Sequence, residues 1–438
     1  DDLPGPRGAA LQFGRGEARG GRADHRVRVA YTWDRARHRQ TGQISAMLAN
    51  GEPIDVFSID APLLDVNGNE VNKRDRLSYA ILHQVSGEYR GEFGDLTTVL
   101  GLRAPFFKRE LNQNCFTTSA GGFVDCPAPG QDLSNYVDAS FNDDHAAPQS
   151  RTYNYDKLLP NIGLTFDFTP DASVFANYAK GLSVPGTDPL YDSLYFADSA
   201  IARPVPETTD SFDLGLRFRS GNVEAQLGAY YTRYENRLAV AFDPEANDGE
   251  GENVFRNLGR VDKYGVDGSV SWRPTFNSLL YVFGSYNDSE IKDDVQDGFG
   301  PGGAPVFLPT GGKSESGTPT YSFGARGQVA VGDFEFGAQV KHTGPRSLND
   351  TNLPIDGELA DGTPFTFDAK TPSYTLVDLD VRWTITQNPF GKDVALQLNV
   401  TNLFDEYYIG FFGGTLDDFG FAQIGAPRAA SLSLIFGY

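Results

Sequence analysis

The sequence predicts an all-β fold, a transmembrane antiparallel β-barrel, on three observations. First, residues 428–438 (RAASLSLIFGY) carry apolar side chains at alternate positions and end on an aromatic one. Such alternation places one set of side chains on each face of a strand, and a terminal aromatic suits a membrane interface. Second, the same alternation recurs along the chain from about residue 27. Third, short and long connections alternate strictly between these segments.

The composition agrees with a barrel and argues against other classes. The formal net charge of −21 speaks against nucleic acid as a partner, because a phosphate-binding protein needs a basic face. No stretch approaches the roughly 20 apolar residues of a membrane-spanning helix. This criterion does not detect barrel strands, because only alternate residues of such a strand face lipid. The abundance of Phe, Tyr and Gly, with only two Cys, favours an outer-membrane barrel over a cytosolic enzyme.

The alternation predicts about 14 strands within residues 23–438, whereas residues 1–22, rich in Gly and Arg and without periodicity, remain unassigned. In the first strand, Val27, Val29, Tyr31 and Trp33 share one face. Later strands repeat this contrast of apolar against polar or small residues, except 278–289, which is apolar on both faces. The predicted strands lie at 27–33, 79–90, 98–103, 162–168, 174–178, 212–219, 223–231, 263–272, 278–289, 321–329, 334–340, 377–383, 394–400 and 428–438.

The connections predict which side of a membrane each strand end occupies. Short turns such as 220–222 and 332–333 alternate with loops of roughly 18 to 55 residues. Outer-membrane barrels have short periplasmic turns and long extracellular loops, so the C-terminal end of the chain falls on the periplasmic side. Aromatic residues at strand ends are expected to form the interface belts. They are Trp33, Phe168, Phe218, Trp272, Trp383 and Tyr438.

The two cysteines, Cys115 and Cys126, flank a Gly-Gly turn in a polar stretch. A close pair of this kind predicts a disulfide that closes a small loop in an oxidising compartment, with two free thiols as the alternative. The entropic stabilisation expected for such a loop is roughly 3 kcal/mol.

Enzymatic chemistry is not indicated. The GFGPGG segment at 298–303 formally satisfies GxGxxG, but it contains Pro301 and neither follows a strand directly nor opens a helix. The five histidines are scattered, and the acidic loops lack the glycine that an EF-hand loop requires. We therefore expect no catalytic site, no cofactor and no metal site. Inward-facing charges such as Arg217, Arg326 and Asp380 fit a wet pore, contacts with a folded plug, or simply a polar lumen.

The segments LQLNVTNLFDEYYIG and IGAPRAASLSLIFGY together resemble the C-terminal end of TonB-dependent outer-membrane receptors. In that family an N-L-F-D/N-x-x-Y segment enters the penultimate strand and a PR-led strand ends on an aromatic. The motif residues here are Asn402, Leu403, Phe404, Asp405 and Tyr438. The stretches LPNIGLTFDFTPDASVFANYAKGLSVPGTDPLY, PETTDSFDLGLRFR and FRNLGRVDKYGVDGSVSW look like successive strands of the family barrel, so the resemblance covers about residues 23–438.

The resemblance implies a bacterial outer-membrane protein whose 22-stranded barrel is filled by an N-terminal plug. No plug-like region is present, so the sequence is interpreted as the C-terminal portion of such a barrel. The implied function is TonB-dependent active uptake of a scarce nutrient, a siderophore–metal complex or a carbohydrate. A complete 14-stranded passive channel is the alternative, and an outer-membrane enzyme or adhesin is a third hypothesis.

Four partners and a set of ligand contacts follow from the resemblance. The partners are outer-membrane lipid, the TonB complex through the missing plug region, the barrel assembly machinery that reads the terminal aromatic strand, and the nutrient ligand. Loop aromatics are the expected substrate contacts. They are Tyr191, Tyr195, Phe196, Phe411, Phe412, Phe419 and Phe421.

Overall fold

The structure, a computed structural model, describes most of the chain. It leaves out residues 1–6, 21–22, 45–46, 49, 51, 53, 56, 58–59, 65–67, 69, 118–123, 127–146, 196–202, 244–251, 300–304, 359–360, 387–393, 415–418 and 437–438. No helix of the described part is long and apolar enough to cross a membrane.

Strands account for almost all of the regular structure. The first half of the chain contains β1 (Arg7–Gly20), β2 (Ala23–Gln43), β3 (Glu70–Phe93), β4 (Leu96–Gln113), β5 (Phe116–Thr117), β6 (Val124–Cys126), β7 (Gln149–Asp156), β8 (Leu159–Thr169), β9 (Ala172–Ser183), β10 (Glu207–Ser220) and β11 (Val223–Glu235). The second half contains β12 (Leu238–Asp243), β13 (Glu252–Asn257), β14 (Val261–Trp272), β15 (Ser278–Ile291), β16 (Val295–Phe299), β17 (Pro305–Leu308), β18 (Tyr321–Val331), β19 (Phe334–Thr343), β20 (Ile355–Glu358), β21 (Pro364–Phe367), β22 (Tyr374–Ile385), β23 (Val394–Thr401), β24 (Ile409–Gly414), β25 (Phe419–Ile424) and β26 (Ala429–Phe436). One helix, α1 (Thr187–Asp192), leads into a 3-10 turn over Ser193–Tyr195.

The long strands form one antiparallel sheet in which chain neighbours pair. The order runs β1, β2, β3, β4, then β7 and β8 together against β4, and on through β9, β10, β11, β14, β15, β18, β19, β22 and β23 to β26. Within the described part of the chain, β1 and β26 do not pair with each other. Four separate hairpins, β12–β13, β16–β17, β20–β21 and β24–β25, lie in the long connections.

All fourteen predicted strands are confirmed in this sheet. The unassigned N-terminal segment contributes one more, because β1 pairs with β2 from Arg7↔Arg35 to Gly20↔Ala23. Its side chains show no clear alternation, so the backbone pairing that makes it a strand leaves little trace in the sequence. The family motif also lies differently from the expectation: Asn402 follows the end of β23 at Thr401, so the motif leaves the penultimate strand instead of entering it.

The predicted outward faces are apolar and uncovered. In β10, for example, Phe212 is 48% and Leu214 58% exposed, as a lipid-facing surface requires. On the short-turn side, Gly94, Gly221 and Gly332 have φ of +64°, +55° and +60°. Two-residue hairpins need this left-handed conformation at a central position, and glycine adopts it without steric cost. These turns hold the strands in register and leave the long loops together at the opposite edge.

Candidate functional site at the long-loop rim

Seven long connections meet at one edge of the sheet, which we call the rim. They are 44–69, 114–148, 184–206, 236–260, 292–320, 344–373 and 402–428. Three small hydrophobic clusters in the described part of the rim hold these loops to the strand ends and to each other. A surface built in this way presents loop residues in set positions, as a binding site on a rigid scaffold does.

The first cluster anchors helix α1 to β4 and β7. Leu190, Tyr191 and Leu194 pack against Leu111, Tyr153 and Tyr155, and all six are buried. The Tyr153 hydroxyl donates to Ser193 Oγ at 2.6 Å, and that hydroxyl donates to the Leu190 carbonyl at 2.6 Å. These bonds satisfy polar groups that burial would otherwise penalise, and they set the helix in one position.

Tyr191, a predicted substrate contact, has a packing role in this first cluster. Its side chain is 4% exposed, and the Arg76 guanidinium lies 4.4 Å from its ring centroid. Burial raises the pKa of the Tyr191 hydroxyl, which donates to the Asn112 carbonyl at 3.4 Å. The ring is therefore covered by its own loop in this structure.

A second set of contacts at the rim is ionic and joins two of the long loops to the strand ends beside them. Arg237 donates from Nη1 to Glu207 Oε2 and from Nε to Glu315 Oε1, both at 2.9 Å. Lys263 forms a further ion pair with Glu315, and the Tyr234 ring lies beneath Arg237 at 4.6 Å. Burial alone would lower the pKa of Arg237, but Glu315 and Glu207 outweigh it and raise the pKa. A single arginine thus ties loop 236–260 to β10 and to loop 292–320.

A third set of contacts joins loop 344–373 to loop 402–428. Arg346 donates from Nη1 to the Gly410 carbonyl at 3.2 Å and from Nη2 to the Ile409 carbonyl at 2.5 Å. Its guanidinium lies 4.9 Å from the ring centroid of Phe412, which is 5% exposed and packs with Leu348. Phe412, another predicted contact, is therefore covered by the arginine.

Loops 292–320 and 344–373 are joined by hydrogen bonds from the side chains of one loop to the backbone of the other. Asn352 accepts from the Ser314 amide and donates to the Ser314 carbonyl, both at 2.8 Å. Asp350 Oδ1 accepts from the Ser316 amide at 2.7 Å. Burial raises the pKa of Asp350 to about 6, because the hydrogen bonds from Ser316 do not offset the lost hydration of the carboxylate. The junction therefore contains an acid that titrates in mildly acidic medium.

The remaining predicted contacts differ in what the structure says of them. Phe411 is 56% exposed at the rim. Tyr195 ends the 3-10 turn and Phe419 and Phe421 lie in β25, but their side chains are outside the described part, as is the whole of Phe196. Ligand contact by these residues stays a prediction.

The family motif forms the turn that starts the last long loop. Asn402 has φ of +48°, is 4% exposed, and accepts from the Glu406 amide at 2.8 Å. Its Nδ2 donates to the carbonyls of Glu406 and Ala426 at 2.9 and 3.1 Å. Asp405 accepts a hydrogen bond from the Arg428 amide at 2.7 Å, and the Leu403 amide donates to the Val377 carbonyl. The Phe404 side chain is 73% exposed, and Tyr438 lies outside the described residues. The motif thus fastens both ends of loop 402–428.

The cysteine segment folds back on itself. β5 pairs with β6 so that Phe116 lies opposite Asp125, and the next step of that register places Cys115 opposite Cys126. No cysteine of the described part is a free thiol. This geometry supports the predicted disulfide, which thiol labelling tests.

Charges predicted to face the lumen make contacts within the wall. Arg326 Nη1 lies 2.8 Å from Asp380 Oδ1, and the Arg217 guanidinium lies 4.2 Å from the Phe175 ring centroid. Among the described residues, no group of three or more His, Cys, Asp or Glu side chains is placed to hold a metal ion.

Sequence reasoning missed the residues that fasten the rim: Glu207, Arg237, Glu315, Arg346, Asp350 and Asn352. Arg237 and Glu315 are separated by 78 positions, and Arg346 and Ile409 by 63. Each looked like an ordinary loop residue, because only the strand order brings the partners together. The acidic and basic residues flanking the long loops were visible, but a single sequence offers no signal that pairs them.

Comparison with known proteins gives a consistent result. The family described as "TonB dependent receptor-like, beta-barrel" matches residues 5–403. The chain is 22% identical over 283 residues to the pesticin receptor of Yersinia enterocolitica, which covers 64% of this chain and 36% of that receptor. It is 24% identical over 314 residues to the rhizobactin receptor of Rhizobium meliloti, covering 64% and 35%. The match thus spans about a third of the length of these curated relatives.

Solved structures show the same fold. The siderophore receptor PiuA from Acinetobacter baumannii superposes with a TM-score of 0.65 at 18% identity, covering 97% of this chain and 55% of that one. The ferric citrate transporter FecA in its unliganded form gives 0.66 at 17%, covering 98% and 53%. Since the family match spans most of the sequence, the chain belongs to the TonB dependent receptor-like β-barrel family of the Gram-negative outer membrane.

Proposed function

We propose that this chain is the barrel portion of a receptor that imports a metal chelate across the outer membrane with energy supplied through TonB. The observation that carries the proposal is the family match over residues 5–403. The relatives' names narrow the substrate class, because they include receptors for rhizobactin and for metal–pseudopaline. Among the nutrients considered from the sequence, a siderophore–metal complex is therefore favoured over a carbohydrate.

The rim is the proposed ligand-receiving surface. Its loops are joined by Arg237, Arg346 and Asn352, so the exposed groups between them keep their relative positions. Positions held in advance reduce the entropy that a ligand must remove on binding. Phe411 is the described aromatic that we assign to ligand contact, since its neighbour Phe412 is covered by Arg346.

A passive channel has less support. A closed barrel leaves no strand edge in lipid, whereas β1 and β26 have no pairing with each other in the described part. The curated relatives that the chain resembles are named as receptors.

The test is uptake of radiolabelled iron, supplied on a panel of siderophores, by cells that carry or lack the full-length gene. We expect uptake of at least one chelate to require the gene and to be abolished when tonB is deleted. Uptake of labelled carbohydrates, measured in the same strains, tests the other substrate class. Gene-dependent uptake that survives tonB deletion would contradict active transport and favour a channel.

The rim assignment has its own test. We expect Phe411→Ala to weaken chelate binding by cells by several-fold, because an exposed aromatic contact contributes roughly 1 kcal/mol or more. Phe404→Ala is the matched control, since Phe404 is exposed on the same loop but is not assigned to ligand. Equal loss in both variants would count against a specific contact at Phe411.

A further inference from the structure

Arg109 lies on the lumen face of β4, beside the cluster that anchors helix α1. On this strand Leu102 and Phe106 are 45% and 51% exposed and belong to the apolar outward face. Arg109 has the opposite parity, so its side chain projects into the lumen on the same face as the buried Leu111. It lies four residues before the end of β4 at Gln113, roughly 13 Å below the rim end of that strand.

The strand register leaves the lumen open on one side of Arg109. Its neighbours in the row across the sheet are Ala80 on β3 and, beyond it, Ala36 on β2, and both carry only a methyl side chain. On its other side Arg109 pairs with Tyr153 of β7, which is buried under α1. Arg109 therefore has a packed aromatic wall on one side and a shallow recess on the other.

The Arg109 guanidinium has no hydrogen bond or ion pair with any described residue. The side chain is half-buried, and its Nε is buried without a hydrogen-bond partner. The Phe107 ring centroid lies 5.5 Å from its Cζ. By contrast, Arg237 at the rim donates to both Glu207 and Glu315. Keeping a half-buried charge without such bonds is costly, and a bound ion or ligand group would remove that cost.

We propose that Arg109 binds an anionic group of the imported chelate, a carboxylate or a similar oxyanion, below the rim. The guanidinium presents a planar fork of donors that matches two oxygens of such a group, and charge-assisted hydrogen bonds are about twice as strong as neutral ones. Phe107 and the α1 cluster exclude water from one side, which strengthens the interaction. This inference rests on the proposed function and adds that the receptor selects its chelate by negative charge.

The experiment measures binding of radioiron chelates by cells that express the full-length receptor and lack other siderophore receptors. The probes are ferric citrate and a ferric tris-catecholate, which are anionic, and ferrioxamine B, a cationic hydroxamate chelate. The variants are R109Q, R109K and the matched control K108Q, which removes a cation from the neighbouring position on the opposite face of β4. We expect the wild type to bind an anionic probe and R109Q to bind it at least tenfold more weakly. R109K, which keeps the charge without the planar fork, should lose less, and K108Q should match the wild type.

A second measurement uses only the wild-type receptor, so it does not depend on how a variant folds. Phenylglyoxal modifies accessible guanidinium groups, and mass spectrometry of the digested receptor reports the modification of each arginine. A saturating anionic probe should protect Arg109 at least fivefold, and ferrioxamine B should not protect it. Arg217, three residues from the short-turn end of β10, is the internal control and should be labelled equally with and without probe.

Four results would overturn the proposal. They are wild-type binding that is absent for both anionic probes, undiminished binding of the anionic probe by R109Q, equal losses in R109Q and K108Q, and unprotected Arg109 in the wild type. Protection alone decides the question if R109Q does not assemble. Chelate uptake that requires tonB but is indifferent to Arg109 would remove this inference and leave the transport proposal standing, so the two failures are distinguishable.

Discussion

Asn402 offers the sharpest test of how the rim is fastened. Its side chain makes three hydrogen bonds while 4% exposed, and its backbone has φ of +48°. Replacement by Ala removes all three bonds, at roughly 1 kcal/mol each. It also places an alanine in the left-handed region that asparagine tolerates, at a cost of about 1 kcal/mol. We therefore expect the closed turn to lose about 4 kcal/mol, which corresponds to roughly a thousandfold in its opening equilibrium.

The assay is hydrogen–deuterium exchange of the full-length receptor, followed in a peptide that covers 403–408. The Glu406 amide donates to the Asn402 side chain, so its exchange should accelerate strongly in Asn402→Ala. Asn402→Gly should accelerate it slightly less, because glycine accepts the positive φ but cannot make the bonds. Phe404→Ala is the control for a change in the same turn at a 73% exposed side chain. Wild-type protection of the Glu406 amide in Asn402→Ala would refute the account of this turn.

Three further predictions follow from the rim and its loops. Burial raises the pKa of Asp350 from 3.8 to about 6, so the folded junction between loops 292–320 and 344–373 binds the Asp350 proton more tightly than the unfolded chain does. The junction should therefore be most stable at low pH and lose roughly 3 kcal/mol of stability as pH rises from about 4 through 6. Protease nicking of these loops should increase across that range in the wild type and should not depend on pH in Asp350→Asn. Arg237→Ala should raise nicking of loop 236–260 strongly, since it removes the ion-pair partner of the buried Glu207 carboxylate, at a cost of roughly 3 kcal/mol, and leaves Glu315 with Lys263 alone. Adding Glu207→Gln should recover part of the loss, and no recovery would contradict the pairing. Alkylation under denaturing, non-reducing conditions should label neither Cys115 nor Cys126, and labelling of both would refute the disulfide.

The fastening residues of the rim bear on the proposed receptor function. Loops held by Arg237, Arg346 and Asn352 keep their exposed groups in fixed relative positions, so the proposed ligand would meet a surface that is already assembled. The same contacts make the loops interdependent, because Glu315 is shared between Arg237 and Lys263. Loss of one partner is therefore expected to loosen more than one loop.

The sequence alone determined the strand pattern, the sidedness of the connections and the family. These properties are local: alternation of apolar and polar residues, as at Phe212 and Asp213, reflects one strand between lipid and lumen and needs no knowledge of its neighbours. Strand β1 was not predicted, because it is a strand through its backbone pairing with β2 and its sequence has no clear alternation of apolar and polar residues.

Only the tertiary structure decided which side chains meet. Tyr191 and Phe412 were visible as loop aromatics, but the strand order alone placed Arg76 and Arg346 over them and made them packing residues. Contacts between distant positions depend on how strands align, and a single sequence carries no local record of that alignment.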